Sequence, residues 1–464
     1  MKLYPEYIKN VYMLGIGGIG MSALARYFNA RGIHVSGYDR TPTPLTDQLI
    51  SEGIDIHFAD DPSKIPAEAE LCVYTPAIPK TLREFTHFAS TAIPLSKRAA
   101  VLGEITRHSN TVAVSGTHGK TTVSTMIAHI LHNSTAGCSA FLGGIAKNYN
   151  SNFLYSDTSN LIVVEADEFD RSFLQLEPTY TVVTSTDADH LDIYSSHEDL
   201  KNTFREFISR TKAGGSILLK KGLELNYKPA DTIIYKYALE EEADFYATSI
   251  QVVDRQYLFD LVTPKGTISG LSLKMPGLIN VENAVAAAAV ASMCGVSGEE
   301  IRLALAAFTG IKRRFDVQVD TEKILYIDDY AHHPEEIRGL VSSVRKLYPD
   351  RKILGIFQPH LYSRTRDFAD EFAKSLELLD EVVLLPIYPA REEPLPGVES
   401  EMILDRISRP EKKVVTKAEL TDYILSRPFD ILLTIGAGDI DQLVQPLKNT
   451  LLKQHNAQDH ETDH

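Results

Sequence analysis

Residues 111–122 read Thr-Val-Ala-Val-Ser-Gly-Thr-His-Gly-Lys-Thr-Thr. An apolar, β-branched run enters a glycine turn, and residues 121–133 continue with the spacing of a helix. A strand, a tight loop and a helix in that order place backbone N–H groups where phosphate oxygens can be wrapped. The loop Gly116, Thr117, His118, Gly119, Lys120, Thr121, Thr122 then has a chemical reading. Lys120 reaches a β- or γ-phosphate, and the Thr121 hydroxyl suits Mg²⁺. Val114 stands where the standard phosphate loop begins with glycine, so the loop is a shortened variant.

The next apolar run ends in Glu165-Ala166-Asp167-Glu168, and the one after it in Asp187-Ala188-Asp189-His190. Carboxyl ends of parallel strands face one crevice, so these groups are expected beside the phosphate loop. Glu165 is the best-placed candidate metal ligand. His190 is a candidate for a second ligand or for carrying a proton.

A second glycine turn lies upstream. Gly15, Gly17, Gly18 and Gly20 form G-x-G-x-x-G after the strand-like run 10–14 and before a helical pattern. A Cβ there would keep the backbone away from a pyrophosphate. Asp39 ends the next strand, about 20 residues on, where a ribose is commonly read. The pattern specifies a diphosphate-containing nucleotide without saying which, and NAD or FAD stays open at this point.

Strand-like and helical patterns alternate along the whole chain, which predicts an α/β fold with mostly parallel sheets. Residues 246–273 alternate instead like antiparallel strands. A third unit from about Lys312 carries strands that end in polar clusters: Asp328 to Pro334, Gln358 to Arg366, and Gly436 to Asp439. His360, Arg364 and Arg366 fall where an anion could be held, since arginine's planar fork matches phosphate and carboxylate.

The chain has 464 residues, a net charge of -15 and three separated cysteines, Cys72, Cys138 and Cys294. Nucleic-acid binders concentrate positive charge, and none is concentrated here. The cysteines support neither a disulfide framework nor a zinc site. The Ala-rich run after Asn283 is too short to cross a bilayer. A cytoplasmic protein without membrane insertion is expected.

The motifs GIGGIGMSALA, SGTHGKTT, EADEFDRSF, TDADHLDIY, PGLINVENAVAA, FTGIKRRFD, IDDYAHHPEE, FQPHLYSRTRDF, YPAREEPLPG and GAGDI, in this order, resemble the Mur ligases of peptidoglycan synthesis. The resemblance runs over nearly the whole chain. It implies a Rossmann-like UDP-binding domain at 1–107, a central ATPase domain of phosphate-loop type with a parallel sheet at 108–311, and a Rossmann-like C-terminal ligase domain at 312–453. Residues 454–464 are expected to be a disordered tail.

The resemblance also assigns the first glycine loop to a UDP-linked substrate and the second to ATP. It makes Glu165 and His190 partners of Mg²⁺, and Asn283 and Arg314 contacts to ATP. It puts Asp328, His333, His360 and Arg364 around the reacting centre, with His333 a candidate for handling an amine proton. The activity it implies is ATP-driven joining of L-alanine to the carboxylate of UDP-N-acetylmuramate, through an acyl phosphate. The rival within the family adds a recycled tripeptide to the same nucleotide substrate. Three positions depart from the family pattern: Ser185 replaces an amide, Leu361 follows His360 in place of arginine, and Arg391 replaces a small residue. The stretch 203–210 offers no lysine for the carbamylated lysine of sister ligases.

Overall fold

The computed structural model describes residues 8–187, 194–390 and 392–462, with side chains from 455 onward excepted. Among these residues the strands form three sheets. The first contains β1 (Asn10–Leu14), β2 (His34–Tyr38), β3 (Asp55–His57), β4 (Leu71–Tyr74) and β5 (Leu95–Lys97), in the order β3-β2-β1-β4-β5. All of its pairings are parallel, so β1 lies between β2 and β4 and its carboxyl end opens where the strand order reverses.

The second sheet contains β6 (Asn110–Ser115), β7 (Ser139–Ala146), β8 (Ser151–Leu154), β9 (Leu161–Glu165), β10 (Tyr180–Val183), β11 (Ser216–Lys220), β12 (Ile233–Ala238), β13 (Phe245–Val253), β14 (Gln256–Thr263) and β15 (Gly266–Leu273). Its order is β15-β14-β13-β12-β11-β10-β6-β9-β7-β8. The strand before the phosphate loop, β6, is therefore flanked by β9 and β10, whose ends carry the acidic motifs. The β13–β15 stretch is an antiparallel meander, as its alternation predicted. Its interior residues Ala247, Tyr257, Phe259, Leu261, Leu271 and Leu273 are buried, while the partners between them face water.

These two sheets belong to one compact unit, formed by residues 1–274 and 279–309. One hydrophobic cluster joins Val11, Met13 and Leu24 of the first sheet's layer to Phe141, Val164, Phe173 and Phe207 of the second. The helix Arg98–Arg107 lies at this junction and buries Val101, Leu102 and Ile105. Its Gly103 packs so closely that a Cβ would press into the Gln175 carbonyl. A polar lock adds to the apolar contact. Buried Asn152 on β8 donates to the Ile19 carbonyl at 2.6 Å and contacts Ser22 at 2.9 Å. It also accepts from Arg26, whose guanidinium makes a two-pronged pair with Glu52 at 2.7 and 2.8 Å.

The second unit, residues 275–278 and 310–464, holds β16 (Asp316–Asp320), β17 (Leu325–Asp329), β18 (Ile353–Phe357), β19 (Glu381–Leu384), β20 (Lys412–Val414) and β21 (Ile431–Ile435). Their order is β16-β17-β21-β18-β19-β20, antiparallel only at the β16–β17 edge. Separate apolar clusters cover its two faces, as a parallel sheet buried on both sides requires.

The tail differs from expectation. The last helix spans Val444–Thr462 and runs through most of the stretch expected to be disordered. Leu447 and Leu451 anchor it in the core, and a helix already nucleated extends at little cost through further residues.

Candidate active site

β6 delivers the phosphate loop onto the helix Lys120–His132. The loop is shaped by two residues at the end of β10. The Thr184 hydroxyl reaches the Ser115 carbonyl at 3.1 Å and also the His118 carbonyl. The Ser185 hydroxyl accepts from the His118 amide at 2.7 Å and pairs with the Thr117 hydroxyl at 2.9 Å. Gly116 has φ +134°, a conformation that L side chains rarely adopt, and a Cβ there would collide with Thr184. Ser185, which departs from the family's amide, thus still serves the loop through its hydroxyl.

Lys120 donates to the Gly116 carbonyl at 2.7 Å and to Glu168 Oε1 at 2.8 Å. Burial alone would lower its pKa, but Glu168, Asp167 and Glu165 outweigh that and keep it raised. Burial lifts Glu168, which is fully enclosed, to about 7 against the pull of Lys120. Its partnership with the loop lysine was missed in the sequence, although the residue stands inside the quoted acidic motif.

Glu165 holds the Thr121 hydroxyl at 3.1 Å through Oε1 and the Gly143 amide at 3.2 Å through Oε2. Gly143 lies within β7 and has no side chain because the Glu165 carboxylate fills that space. A glycine inside a strand signals such close approach, but does not name what approaches. Thr121 and Glu165 offer oxygen donors only, the set that Mg²⁺ takes beside phosphates and water. Among the described residues no three His, Cys, Asp or Glu side chains cluster as a metal cage. His190, the other expected partner of the metal, lies outside the described residues, as does Arg391. Asn283 comes to the loop from the helix Leu278–Met293, with Oδ1 3.1 Å from where a Gly119 Cβ would stand. Thr122 is buried in that loop's first helical turn.

The first glycine loop enters the helix Ile19–Ala30 through Gly18, with no side-chain cap and no acidic residue in the first turn. Gly15, at φ +80°, donates to the Tyr38 carbonyl at 2.8 Å. Asp39 accepts from the Gly17 amide at 2.8 Å, so one of its oxygens organises the loop itself. A cavity of about 280 Å³ connects this loop with the metal candidates, lined by Gly18, Gly20, Arg98, Gly143, Glu165 and Asp167 among others.

In the second unit the expected residues fall into several settings. Asp328 is buried, bonded to Arg313 at 3.2 Å and to the Thr434 hydroxyl at 2.7 Å, and burial raises its pKa to about 6. Arg314 lies over the Tyr330 ring at 5.1 Å. His333 is the N-cap of the helix Pro334–Leu347, and its ring packs on Phe368 at 5.1 Å. The adjacent His332 is half-buried like His333. Burial holds its pKa down to about 4, with Glu336 at 3.3 Å opposing and the charges of Arg364 and Arg314 assisting. His360 stacks on Tyr388 at 5.8 Å and lies 6.1 Å from His332, ring centre to ring centre. The helix Tyr362–Asp367 carries Arg364 and begins at Leu361 with φ 72°.

A strand–loop–helix phosphate site flanked by carboxylates, with another glycine loop that shares a cavity with two of those carboxylates, is the arrangement of a nucleotide-driven enzyme. Residues 10–110 match the Mur ligase family catalytic domain, 114–291 the Mur ligase middle domain and 313–438 the Mur ligase glutamate ligase domain. The UDP-N-acetylmuramate–L-alanine ligase of Porphyromonas gingivalis is 51% identical over 452 residues, covering 96% of this chain and 99% of that protein. The solved UDP-N-acetylmuramate–alanine ligase of Thermotoga maritima superposes with a TM-score of 0.82 at 28% identity, covering 96% and 99% of the two chains. A murein peptide ligase from Psychrobacter arcticus superposes with a TM-score of 0.71 at 25% identity, covering 96% and 98%. The chain belongs to the Mur ligase family. It is an ATP-dependent ligase.

Proposed function

We propose that this ligase joins L-alanine to the lactyl carboxylate of UDP-N-acetylmuramate, with ATP converted to ADP and phosphate, in the synthesis of peptidoglycan precursors. The observation that carries this reading is the single cavity between the first glycine loop and Glu165. A substrate held at that loop by its diphosphate extends toward the carboxylates beside the phosphate loop. The choice of alanine and muramate is supported by 51% identity to a relative of that activity over 96% of the chain.

The substrate carboxylate attacks the γ-phosphorus, the bond to ADP breaks, and an acyl phosphate forms. The neutral amine of alanine then adds to the acyl carbon, the nitrogen gives up a proton, for which His333 is the assigned acceptor, and the tetrahedral adduct expels phosphate. Lys120 and the N–H groups of residues 116–122 take up the charge that develops on the β- and γ-phosphates. Thr121 and Glu165 are assigned to hold Mg²⁺, with His190 as their expected companion; the ion supplies neutralisation of phosphate charge during transfer. Gly15, Gly17, Gly18 and Gly20 are assigned to the UDP end, with Asp39 shaping their loop. Asn283, Arg314 and Asp328 are assigned to ATP, and His333, His360 and Arg364 to the reacting groups. Dependence on ATP and a UDP-linked sugar fits work in the cytoplasm.

The test is phosphate release from ATP and Mg²⁺ with UDP-N-acetylmuramate, adding either L-alanine or the tripeptide L-alanyl-γ-D-glutamyl-meso-diaminopimelate. Release that depends on L-alanine is expected. Release with the tripeptide alone overturns the choice of amino acid, and release with neither overturns the choice of nucleotide substrate.

A further inference from the structure

The cavity between the first glycine loop and Glu165 is lined by groups of opposite sign. Glu165 and Asp167 line one end. At the other, Gly18 opens the helix Ile19–Ala30, whose first turn contains neither a side-chain cap nor an acid. Helix N-termini of this kind present free N–H groups and a partial positive charge.

Arg98 stands beside that turn. It begins the helix Arg98–Arg107, so its backbone is fixed by a packed element and not by a loop. Its guanidinium lies where a Gly20 side chain would otherwise be: a Cβ there would be 2.8 Å from Nη1 and 3.1 Å from Cζ. Among the described residues no carboxylate pairs with Arg98 and no carbonyl accepts from it. The two carboxylates of the cavity are engaged elsewhere, Glu165 by Thr121 and Gly143, and Asp167 by the Phe169 amide at 3.1 Å. A half-buried, planar, five-donor cation thus stands beside a helix N-terminus, and both line the same small cavity.

We propose that Arg98 clamps the pyrophosphate of the nucleotide-sugar substrate against the N-terminus of the helix Ile19–Ala30, and so sets how far the substrate's carboxylate reaches toward Glu165. This rests on the reading of the first glycine loop as the UDP site. Arginine suits this task because its fork bonds two phosphate oxygens at once, which fixes direction as well as charge. Gly20 is then glycine to admit the guanidinium as well as the ligand. The clamp acts on binding and alignment, so Arg98 is a positioning residue with respect to the chemical step.

The experiment compares full-length Arg98→Gln and Arg98→Lys with the unaltered protein, using UDP and UMP as competitive inhibitors against UDP-N-acetylmuramate. Loss of a charge-assisted pair predicts that the UDP inhibition constant and the KM for UDP-N-acetylmuramate rise together, by about 10- to 100-fold in Arg98→Gln. Arg98→Lys is expected to recover part of this, and UMP should weaken less than UDP. The KM values for ATP and L-alanine should stay within about twofold, and thermal melting reports whether each variant is folded. A raised KM for UDP-N-acetylmuramate with an unchanged UDP constant would overturn the proposal, because the guanidinium would then be reading the carboxylate. Unchanged constants for both would overturn it as well. If the unaltered protein neither turns over UDP-N-acetylmuramate nor binds UDP, the reading of the glycine loop fails instead, which the first measurement detects before any variant is made.

Discussion

Gly143→Ala isolates the placement of Glu165 from every other feature of the site. Gly143 is not among the residues with positive φ, so its backbone accepts an L side chain without strain. The new methyl, however, would stand only 2.5 Å from the Glu165 Cδ, well inside van der Waals contact. The carboxylate has to move, and on moving it gives up the Thr121 hydroxyl at 3.1 Å and the Gly143 amide at 3.2 Å. Displacing a group that orients a metal ligand typically costs 10- to 100-fold in metal affinity or activity. That corresponds to about 1.4–2.7 kcal/mol, modest beside the stability of a domain, so the variant should fold. The assay is phosphate release as a function of Mg²⁺ at saturating ATP, UDP-N-acetylmuramate and L-alanine. The half-saturating Mg²⁺ concentration is expected to rise about 10- to 100-fold, with the UDP inhibition constant within about twofold. A folded variant with unaltered Mg²⁺ dependence would refute the assignment of Glu165 to the metal.

Two further outcomes follow from buried groups of the same unit. Lys120→Ala should abolish ADP release while leaving UDP binding within about twofold, because Lys120 bonds Gly116 and Glu168 and not the first glycine loop; full turnover by this variant would sink the role given to Lys120. His129 is buried against Tyr149 and the Ala304 carbonyl, and burial lowers its pKa from 6.5 to about 4. A depressed histidine contributes stability that is present above pH 6.5 and lost as pH falls toward 4, because the unfolded chain binds the proton first. Between pH 6.5 and 5 the unaltered protein should therefore lose about 2 kcal/mol more than His129→Asn in urea unfolding, and parallel losses would contradict the assignment.

Local backbone chemistry was legible in the sequence. A strand, a glycine turn and a helix are contiguous in the chain, so both glycine loops and the order of the acidic strand ends could be read directly. The paired histidines show where such reading stops. His332 and His333 are adjacent and chemically equal in the sequence, yet one lies beside Glu336 and the other caps a helix start and packs on Phe368. Their difference lies in the partners each one meets, and periodicity does not encode that. Asp328 is a similar case. The family resemblance implies a ligand contact for it, and in the structure its bonds to Arg313 and Thr434 also tie down the segment entering the second unit, where Arg313 and Phe315 take positive φ. Its neighbour Asp329 does the same work by accepting from the Phe315 amide at 2.6 Å.

The glycines show the same limit from the other side. Read as fingerprints, Gly20 and Gly116 mark places where a ligand's phosphate needs room, while Gly143 belongs to neither loop. In the folded chain Gly20 makes room for Arg98, Gly116 for Thr184 and Gly143 for Glu165. Each of those polar groups arrives from a different strand or helix. The space left by each missing Cβ is thus filled by a polar side chain from elsewhere in the chain. A glycine in a nucleotide loop predicts two things, an anion nearby and a polar partner opposite. The first is written locally, in the strand–turn–helix pattern. The second depends on sheet order, which brings β7 beside β9 and the helix Arg98–Arg107 beside the first loop, so only the folded chain identifies it. Substituting the partner and substituting the glycine of one such pair should then impair the same step: UDP binding for Gly20 and Arg98, Mg²⁺ dependence for Gly143 and Glu165.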